Sequence, residues 1–515
     1  MPEPDVNKAT FSISGTCNMN PGSRLLNCAA ATSSTTHKPT AYKKDSTSRL
    51  VLSIDLGTTS IKIALVDSIT KKPLKTAAQV TKADIESQIG LDGCEQNPVQ
   101  ILHVLHQCIS TFDKEHLSRV VCLAITGQMH GVMLWRSEET SKKELSSFGS
   151  SSHKWNKQEP SQLITWRDQR CKTKFLACLP PADSHLRLAT GHGCATLFWM
   201  ARHQRDFLKR FDCAGTIMDY LVSLLCGLTH PVMSPQIAAS WGYFNTENVS
   251  WNSGILKKAD FPVNLLPHVK EAGSSAGNLK CDWFSIPKGI PVLVALGDLQ
   301  CAIRSTIKDK ADAVLNISTS TQLGFPISLK GFKPPPTNPE NAIEYFPYFG
   351  NTYIATVASL TGGSVMANFV KTLQEWFSEF GVRVEEEQVW QKLIKLAEKV
   401  PNTDLQIIPT LQGERHKPDQ RGSVAGLNMN NMSLGKVFRA LCSGLVQNLH
   451  EMMPNTYLED HGIKRIIASG SGVTKNPIVQ QEVKKFYKTP MVNGDRCDSA
   501  LGAALCAINS CNSSH

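Results

Sequence analysis

The hydrophobic pattern of the chain changes at residue 50. Before that point Ser, Thr, Asn and Lys dominate, and the apolar positions show neither a period of two nor one of 3.6. Such a segment cannot bury enough apolar surface to fold alone. We therefore predict that residues 1–49 form a disordered N-terminal extension. A mitochondrial transit peptide is the alternative, although the segment has no Arg-rich amphipathic stripe.

The next segment has the pattern of two strands joined by a tight turn. Residues 50–55 are rich in β-forming residues, residues 57–60 are turn-like, and residues 61–66 alternate. Residues 312–325 repeat this form, with Ser318-Thr319-Ser320 at the turn. Two such units about 260 residues apart predict two related lobes.

Other segments predict a mixture of strands and helices. Residues 119–126 form a nearly continuous apolar run, which is typical of a strand buried on both faces, and polar residues follow it at 127–131. Helical spacing is present at 98–112 and again at 434–449. Residues 138–160 are polar and show no apolar period, so we expect a surface loop there.

Composition narrows the class of protein. The 515 residues, 41% of them hydrophobic, are enough for several domains around sizeable cores. The net charge of +10 suits phosphorylated anions, but no dense Lys/Arg tract interleaves with aromatic residues, so we expect no nucleic-acid partner. The 16 cysteines form no CxxC pair, and no apolar stretch is long enough for a signal peptide or a membrane span. We predict a soluble, cytoplasmic protein with reduced thiols and no membrane partner.

The first turn has the groups that a phosphate cradle needs. Gly57 allows close backbone approach, and the amides and hydroxyls of Thr58, Thr59 and Ser60 can donate to phosphate oxygens. The Asp55 carboxylate can hold a hydrated magnesium ion. An ordinary hairpin with an Asp before its turn is the alternative interpretation. The chain has no GxxxxGK[ST] element, so a P-loop fold is not supported.

Several motifs together resemble the FGGY carbohydrate kinases, a family of the actin-like ATPase superfamily. The resemblance spans about residues 50–508 and is carried by the segments at 55–60, 95–97, 127–131, 166–170, 297–300 and 318–320. It implies an α/β fold of two actin-like, ribonuclease H-like ATPase lobes with an active-site cleft between them. The expected bounds are residues 50–300 for the N-terminal lobe, which binds sugar and phosphate, and 301–510 for the C-terminal, nucleotide-binding lobe.

Three further segments, at 239–246, 315–320 and 358–363, are similar to the family members that phosphorylate sedoheptulose. The resemblance therefore implies transfer of phosphate from ATP, with Mg²⁺, to that ketose, and small molecules as the partners of a monomer or homodimer. Two alternatives stay open: a xylulokinase-like kinase of another ketose, and an actin-like ATP-binding scaffold without sugar chemistry.

The resemblance makes Asp298 the general base that faces the attacking sugar hydroxyl. The alternative from the residues alone is an N-cap on a helix over 299–307. Met129 and His130, with Gln128 beside them, are expected to line the sugar pocket, although an isolated histidine more often packs beneath a loop. The other expected sugar-binding residues are Trp166, Asp168 and Gln300, and the alternative for residues 166–170 is a buried ion pair.

On the nucleotide side, the resemblance makes Ser318, Thr319 and Ser320 a second phosphate loop. The family more usually has Gly where this chain has Ser318. A Gly-rich turn joins the apolar run 466–468 to a predicted helix with Asn476 as N-cap and Pro477 at its first position. Its small residues leave room for an adenosine ring, although a turn without a ligand is the alternative. The expected nucleotide contacts from these segments are Gly362, Gly363, Gly470, Ser471, Gly472 and Asn476.

Overall fold

The computed structural model describes residues 49–142, 160–327, 331–338, 340–411, 413–494 and 498–512. Residues 1–48 of the predicted extension and 143–159 of the predicted surface loop lie outside the described residues. The loop prediction is wrong at its start, where Ser137–Lys142 is a helix. Glu138 and Glu139 lie in its first turn, where negative side chains stabilise the exposed amides of a helix N-terminus.

Strands and helices are mixed through the described parts of the chain, as predicted. The strands, in chain order, are β1 Leu50–Leu56, β2 Ser60–Asp67, β3 Pro73–Val80, β4 Asp84–Ile85, β5 Glu95–Gln96, β6 Val120–Gly127, β7 Met133–Trp135, β8 Leu163–Ile164, β9 Cys213–Gly215, β10 Val232–Met233, β11 Phe244–Asn245, β12 Ser250–Trp251, β13 His268–Val269, β14 Ser275–Asn278, β15 Pro291–Leu293, β16 Leu296–Gly297, β17 Asp312–Ile317, β18 Thr321–Pro326, β19 Glu344–Pro347, β20 Tyr353–Ser359, β21 Gln406–Ile408, β22 Ser423–Ala425, β23 Arg465–Ser469 and β24 Met491–Asn493. The helices are α1 Pro98–Ile109, α2 Lys114–Leu117, α3 Ser137–Lys142, α4 Thr173–Ala177, α5 Gly193–His203, α6 Arg205–Leu208, α7 Ile217–Cys226, α8 Pro235–Trp241, α9 Ser253–Lys258, α10 Asp298–Thr306, α11 Gly363–Glu379, α12 Glu386–Glu398, α13 Leu434–Met452, α14 Asn455–Asp460, α15 Ser471–Thr474, α16 Pro477–Phe486 and α17 Ser499–Asn512.

Two sheets with the same design form the centres of the two lobes. The first has the order β14-β15-β6-β1-β2-β3, and the second β19-β20-β18-β17-β23-β24. In each, an antiparallel hairpin (β1–β2 or β17–β18) pairs through its first strand with a parallel neighbour (β6 or β23). The shared pattern confirms the prediction of two related lobes.

Each sheet has its own hydrophobic core. All seven residues of β1 are buried, and the first core includes Leu52 and Ile54 from this strand. Leu315 and Ile317 of β17 belong to the second core. Buried strands of this kind are nearly continuous apolar runs because helices cover both sheet faces.

Helices α10 and α17 connect the lobes. Helix α10 follows β16 of the first sheet and leads to β17 of the second. Helix α17 comes from the range predicted for the second lobe, but its residues Ala503 and Ala507 pack in one cluster with Val51 and Cys122 of the first sheet. The small alanine side chains allow the helix to lie close to the strands. The last described helix therefore completes the core of the first lobe.

No helix within the described ranges is long and apolar enough to cross a membrane. The cysteines of the same ranges are free thiols, in agreement with the predicted reduced state.

Candidate active site

The turn at Gly57–Ser60 connects β1 to β2, as predicted. A Cβ atom on Gly57 would lie 2.9 Å from the Ser60 carbonyl oxygen, so the tight turn requires glycine. The indole Nε1 of Trp166 donates to Thr58 Oγ1 at 3.0 Å, and the Gln96 amide donates to the Thr58 carbonyl at 2.7 Å. Trp166, which was predicted to bind sugar, therefore donates a hydrogen bond directly to the predicted phosphate turn.

Asp55 lies at the end of β1, beside this turn. Burial raises its pKa to about 6, Lys62 counteracts this, and the negative charge of Asp498 adds to it. The Lys62 ammonium is 3.9 Å from Oδ2, whereas Oδ1 is buried without a hydrogen-bond partner. An uncompensated buried carboxylate oxygen fits a bound cation.

Magnesium suits this position chemically. Among the described residues no group of three or more His, Cys, Asp and Glu side chains is arranged to hold a metal ion. A single carboxylate with water and phosphate oxygens is nevertheless a common magnesium environment, because Mg²⁺ keeps several of its waters.

Asp298 is the first residue of α10, and Gly297 occupies the N-cap position. The Leu299 amide donates to Asp298 Oδ1 at 2.8 Å. Burial and then the charge of Asp55 raise the pKa of Asp298 to about 7, against the opposing effect of backbone hydrogen bonds and Lys62. The residue as a whole is partly exposed, whereas its carboxyl group is enclosed by the protein. With a pKa of about 7 the carboxyl can accept a proton near neutral pH.

His130 follows the strand β6 and is partly exposed. Its Nδ1 donates to the Ser240 carbonyl at 2.9 Å, and its ring stacks on His192 with centroids 4.8 Å apart. Burial, and then the positive charge of Arg415, lower the pKa of His130 to about 3. The neutral ring with a proton on Nδ1 leaves Nε2 as an acceptor for a hydroxyl group.

Two buried side-chain amides near Asp298 each have an oxygen that accepts no hydrogen bond. Gln128 donates through Nε2 to Gln96 at 3.0 Å, and Gln300 donates through Nε2 to the Pro347 carbonyl at 3.2 Å. The Oε1 atoms of Gln128 and Gln300 are buried and have no hydrogen-bond partner. Since buried polar atoms are normally paired, these oxygens suit the hydroxyl groups of a bound polyol. Met129 is buried, and its Sδ lies near Gly297.

Asp168 lies in a different environment. It is fully buried, and both of its oxygens accept from the Arg170 side chain, at 2.8 and 2.9 Å. Arg170 also donates to Glu95 at 2.7 Å, and the Cys94 amide donates to Asp168 Oδ2. The structure thus has the buried ion pair that was the alternative interpretation, and the Asp168 oxygens are engaged within the protein.

Three turns of the second lobe meet at the end of β17. Gly363 N donates to the Ser318 carbonyl at 2.7 Å, and a Cβ on Gly362 would lie 2.4 Å from the Ser320 carbonyl carbon. A Cβ on Gly470 would lie 2.3 Å from the Ile317 carbonyl oxygen. The predicted nucleotide glycines are therefore also required for the turns to approach one another. The exposed residues Ser318 and Thr319 lie at this edge.

Asn476 is the N-cap of α16, as predicted from the Asn-Pro pair. Its Oδ1 accepts from the amides of Ile478 and Val479 at 3.0 and 3.3 Å. Its Nδ2 faces the sulfur atoms of Met366 and Cys442. This buried side chain is occupied in supporting the helix.

Helix α8 supports two of the candidate residues at once. Gln236 Oε1 accepts from the Gly297 amide at 3.1 Å, and Ser240 accepts from His130 through its carbonyl. Trp241 Nε1 donates to the Gly131 carbonyl at 3.1 Å. None of these α8 residues was predicted from the sequence, although the Ser-Trp pair lies in a segment that carried the family resemblance.

Glu414 and Arg415 are also absent from the residues predicted from the sequence. Glu414 is buried and accepts from Ser359 Oγ at 2.6 Å and from Asn448 Nδ2 at 2.9 Å. This fixes the loop from which Arg415 reaches the two histidines. Burial and then the charges of His130 and Arg415 lower the pKa of His192. Within the described ranges Arg415 has no hydrogen-bond or ion-pair partner. The sequence signal that could have indicated Arg415 is an arginine that directly follows Gly-Glu in a loop.

Two similar α/β lobes that present hydroxyl-rich turns beside buried carboxylates define an actin-like phosphotransferase. Residues 50–304 match the model of the N-terminal domain of the FGGY family of carbohydrate kinases, and residues 344–511 match that of its C-terminal domain. The chain belongs to this family.

Individual relatives agree with the family match. A sedoheptulokinase from Mus musculus is 44% identical over 463 residues, and one from Homo sapiens is 45% identical over 465 residues. Each match covers 88% of this chain and 96% of the relative. The crystal structure of Plasmodium falciparum glycerol kinase with ADP superposes with a TM-score of 0.69 at 18% identity, covering 90% of both chains. The predicted actin-like fold is confirmed.

Proposed function

We propose that this protein transfers the γ-phosphoryl group of ATP to sedoheptulose, giving sedoheptulose 7-phosphate and ADP. The observation that carries the choice of sugar is 44–45% identity with two sedoheptulokinases over nearly their whole length. The site supports phosphoryl transfer to a polyol, because the Asp298 carboxyl, with a pKa of about 7, lies beside buried amide oxygens without partners.

Asp298 is proposed as the general base. As the terminal hydroxyl oxygen of the sugar forms its bond to the γ-phosphorus, the bond from that phosphorus to the bridging oxygen of ADP breaks. The hydroxyl proton moves to the Asp298 carboxylate, and ADP keeps the electron pair of the broken bond. A positioned base of this kind contributes by accepting the proton while the phosphoryl group transfers.

The sugar is proposed to bind next to Asp298, between His130 and Gln300. His130 Nε2 and the free oxygens of Gln128 and Gln300 accept from sugar hydroxyls. Arg415 donates to a sugar oxygen from the second lobe, which makes sugar binding favour approach of the lobes. Closure of this kind excludes water as a competing acceptor.

The nucleotide is proposed to lie along the turns of both lobes. The amides and hydroxyls at Gly57–Ser60 and Ser318–Ser320 bind phosphate oxygens, and the turns at Gly362–Gly363 and 470–472 make room for the remainder of ATP. Asp55 would hold hydrated Mg²⁺, which supplies positive charge to the phosphates when bound. Phosphorylation of another polyol is an alternative outcome of the experiment that follows.

The experiment is an acceptor panel. ADP production from ATP and Mg²⁺ is measured with sedoheptulose, D-xylulose, D-ribulose and glycerol, and each product is identified by mass. We expect a clear preference for sedoheptulose and a product heavier by one phosphoryl group. Preference for another polyol would move the substrate within the family, and sugar-independent hydrolysis would favour a scaffold instead.

A further inference from the structure

A large cavity lies away from the candidate active site. It has a volume of about 850 Å³ and is lined by residues from both lobes and from the helices that connect them. Small-molecule sites usually have volumes of about 300–1,000 Å³. The proposed reaction leaves this space unused.

The cavity and the candidate active site are at opposite edges of the sheets. The phosphate turns follow the last residues of β1 and β17, at Leu56 and Ile317. The cavity is lined instead by Lys71, which follows the other end of β2, and by Lys308 and Lys310, which precede β17. Arg304 of α10 lies between these groups, six positions after Asp298 in the same helix.

The lining carries a strong excess of positive charge. Its described residues include four cationic side chains, Lys71, Arg304, Lys308 and Lys310, and one carboxylate, Asp309. None of the three lysines makes an ion pair with a residue in the described ranges. An anion in the cavity would be attracted by several of these positive charges at once.

The remaining wall is aromatic. Phe332, Phe349 and Tyr353 line the cavity, and the Arg304 guanidinium lies over the Phe349 ring at 4.9 Å. The Arg304 Nε atom is buried and has no hydrogen-bond partner. An arginine presented on an aromatic ring with an unused donor is well suited to a phosphate group, because its donors match phosphate geometry.

We propose that this cavity is a binding site for a small organic phosphate, whose phosphate contacts Arg304, Lys308 and Lys310 and whose organic part lies against the aromatic wall. A sugar phosphate and a nucleoside monophosphate share this chemistry. The ligand would also contact Lys71 of the first lobe, so it would connect the two lobes behind α10.

This position couples the cavity to the active site. If the lobes close over substrate by rotating about α10 and α17, the opposite edges of the two sheets move apart. A ligand that connects those edges would hold the lobes open. We therefore expect the ligand to inhibit by raising the apparent KM for the sugar.

Binding is tested by calorimetry on the full chain with ADP and Mg²⁺ present and sedoheptulose absent, because closure of the lobes over the sugar would oppose the ligand. A second titration with saturating sedoheptulose should show weaker binding. The probes are ribose 5-phosphate, AMP and inorganic pyrophosphate. We expect one of the two esters to bind more tightly than pyrophosphate, and the double variant Lys308→Glu with Lys310→Glu to weaken that binding at least tenfold. Binding of ribose 5-phosphate would indicate a sugar phosphate as the ligand, and binding of AMP would indicate a nucleoside monophosphate.

The matched control is Lys392→Glu with Lys395→Glu, since these lysines are exposed on α12 of the same lobe. This double variant has the same change of charge and should bind the ester as the unmodified protein does. The proposal is overturned if neither ester binds, if pyrophosphate binds as tightly as both esters, or if the two double variants lose binding equally. Thermal unfolding of both variants identifies a loss that comes from misfolding.

Discussion

Asp298 begins its helix within electrostatic reach of Asp55, and burial together with the charge of Asp55 raises the pKa of Asp298 to about 7. Asp55 lies on β1 and Asp298 directly follows β16, and both of these strands pair with β6. The sheet thus brings a proposed base next to a proposed magnesium ligand. Their environments keep both pKa values above those of an exposed carboxyl.

Replacement of Asp298 by Asn tests the proposed base. We expect kcat to fall by about 10²–10⁴-fold, the usual contribution of a positioned general base. ATP binding should persist, because the amide of Asn has nearly the same shape as the carboxyl of Asp. Turnover and nucleotide affinity are measured together. Asp206→Asn, on an exposed residue paired with Lys209, is the control with the same chemical change; undiminished turnover in Asp298→Asn would refute the assignment.

The pH profile should follow the titration of Asp298. A base works when it is deprotonated, so kcat/KM should rise with pH and level off above an inflection near 7. The inflection should be absent from the residual activity of Asp298→Asn. Magnesium beside Asp55 would lower this value by its positive charge, so the profile is recorded at several Mg²⁺ concentrations. An inflection that persists in the variant belongs to another group.

The raised pKa of Asp298 also predicts that Asp298→Asn is more stable than the unmodified protein at high pH. A carboxyl whose pKa is higher in the folded state favours folding at low pH, and that contribution is lost as pH rises from 3.8 through about 7. At pH 8 the buried charge opposes folding, so Asp298→Asn should melt at a higher temperature than the unmodified protein. Near pH 4 the two should differ little. Melting curves of both proteins are recorded at pH 4 and pH 8. Equal melting temperatures at pH 8 would contradict the proposed effect of burial.

Arg415→Gln should weaken sugar binding. The guanidinium has no partner in the described ranges, and its charge acts on His130 and His192. Loss of a charged hydrogen bond to the sugar should raise KM by roughly 10–100-fold. Arg421→Gln, in the same segment but bonded to the Pro418 carbonyl, is the control. If the sugar KM changes equally in both variants, Arg415 does not contact the sugar.

The Asp168–Arg170 pair should act on stability. Arg170→Met leaves the buried Asp168 charge without its partner, and removal of one member of such a pair destabilises a protein by about 3–5 kcal/mol. Denaturant unfolding should show this loss. At a temperature where the variant is folded, the sugar KM should stay within a fewfold of normal. A large increase in KM without a loss of stability would return Asp168 to the sugar site.

Gly362→Ala should displace the second phosphate turn. Its new Cβ would meet the Ser320 backbone at 2.4 Å, and backbone cannot move aside as a flexible side chain does. A displacement of about 1 Å in such a site lowers activity by about 10²-fold, and we expect this in kcat/KM for ATP. Gly254→Ala is the control, since open space surrounds that glycine.

The sequence predicted those parts of the molecule that depend on local pattern. The hairpins beginning at Leu50 and Asp312 follow from alternation, and the Asn476 cap follows from an Asn-Pro pair. The Arg170–Glu95 contact joins residues 75 positions apart, which no local pattern indicates. Arg415 lies in a loop without periodicity, so its approach to His130 depends on how two lobes fold together.

The position of α17 was not predictable for the same reason. Its apolar residues are consistent with packing on either sheet, and chain order favours the second lobe. The choice depends on the shape of the space beside Val51 and Cys122, which only the folded first sheet defines.

That packing has a consequence for synthesis on the ribosome. The Asp498 amide donates to Ser305 Oγ across 193 residues of chain, and α17 follows immediately. At about 5–20 residues per second, the ribosome needs roughly 10–40 s to make this intervening length. During that time one face of the first sheet is without its covering helix, so the nascent lobe exposes apolar surface to chaperones until α17 emerges.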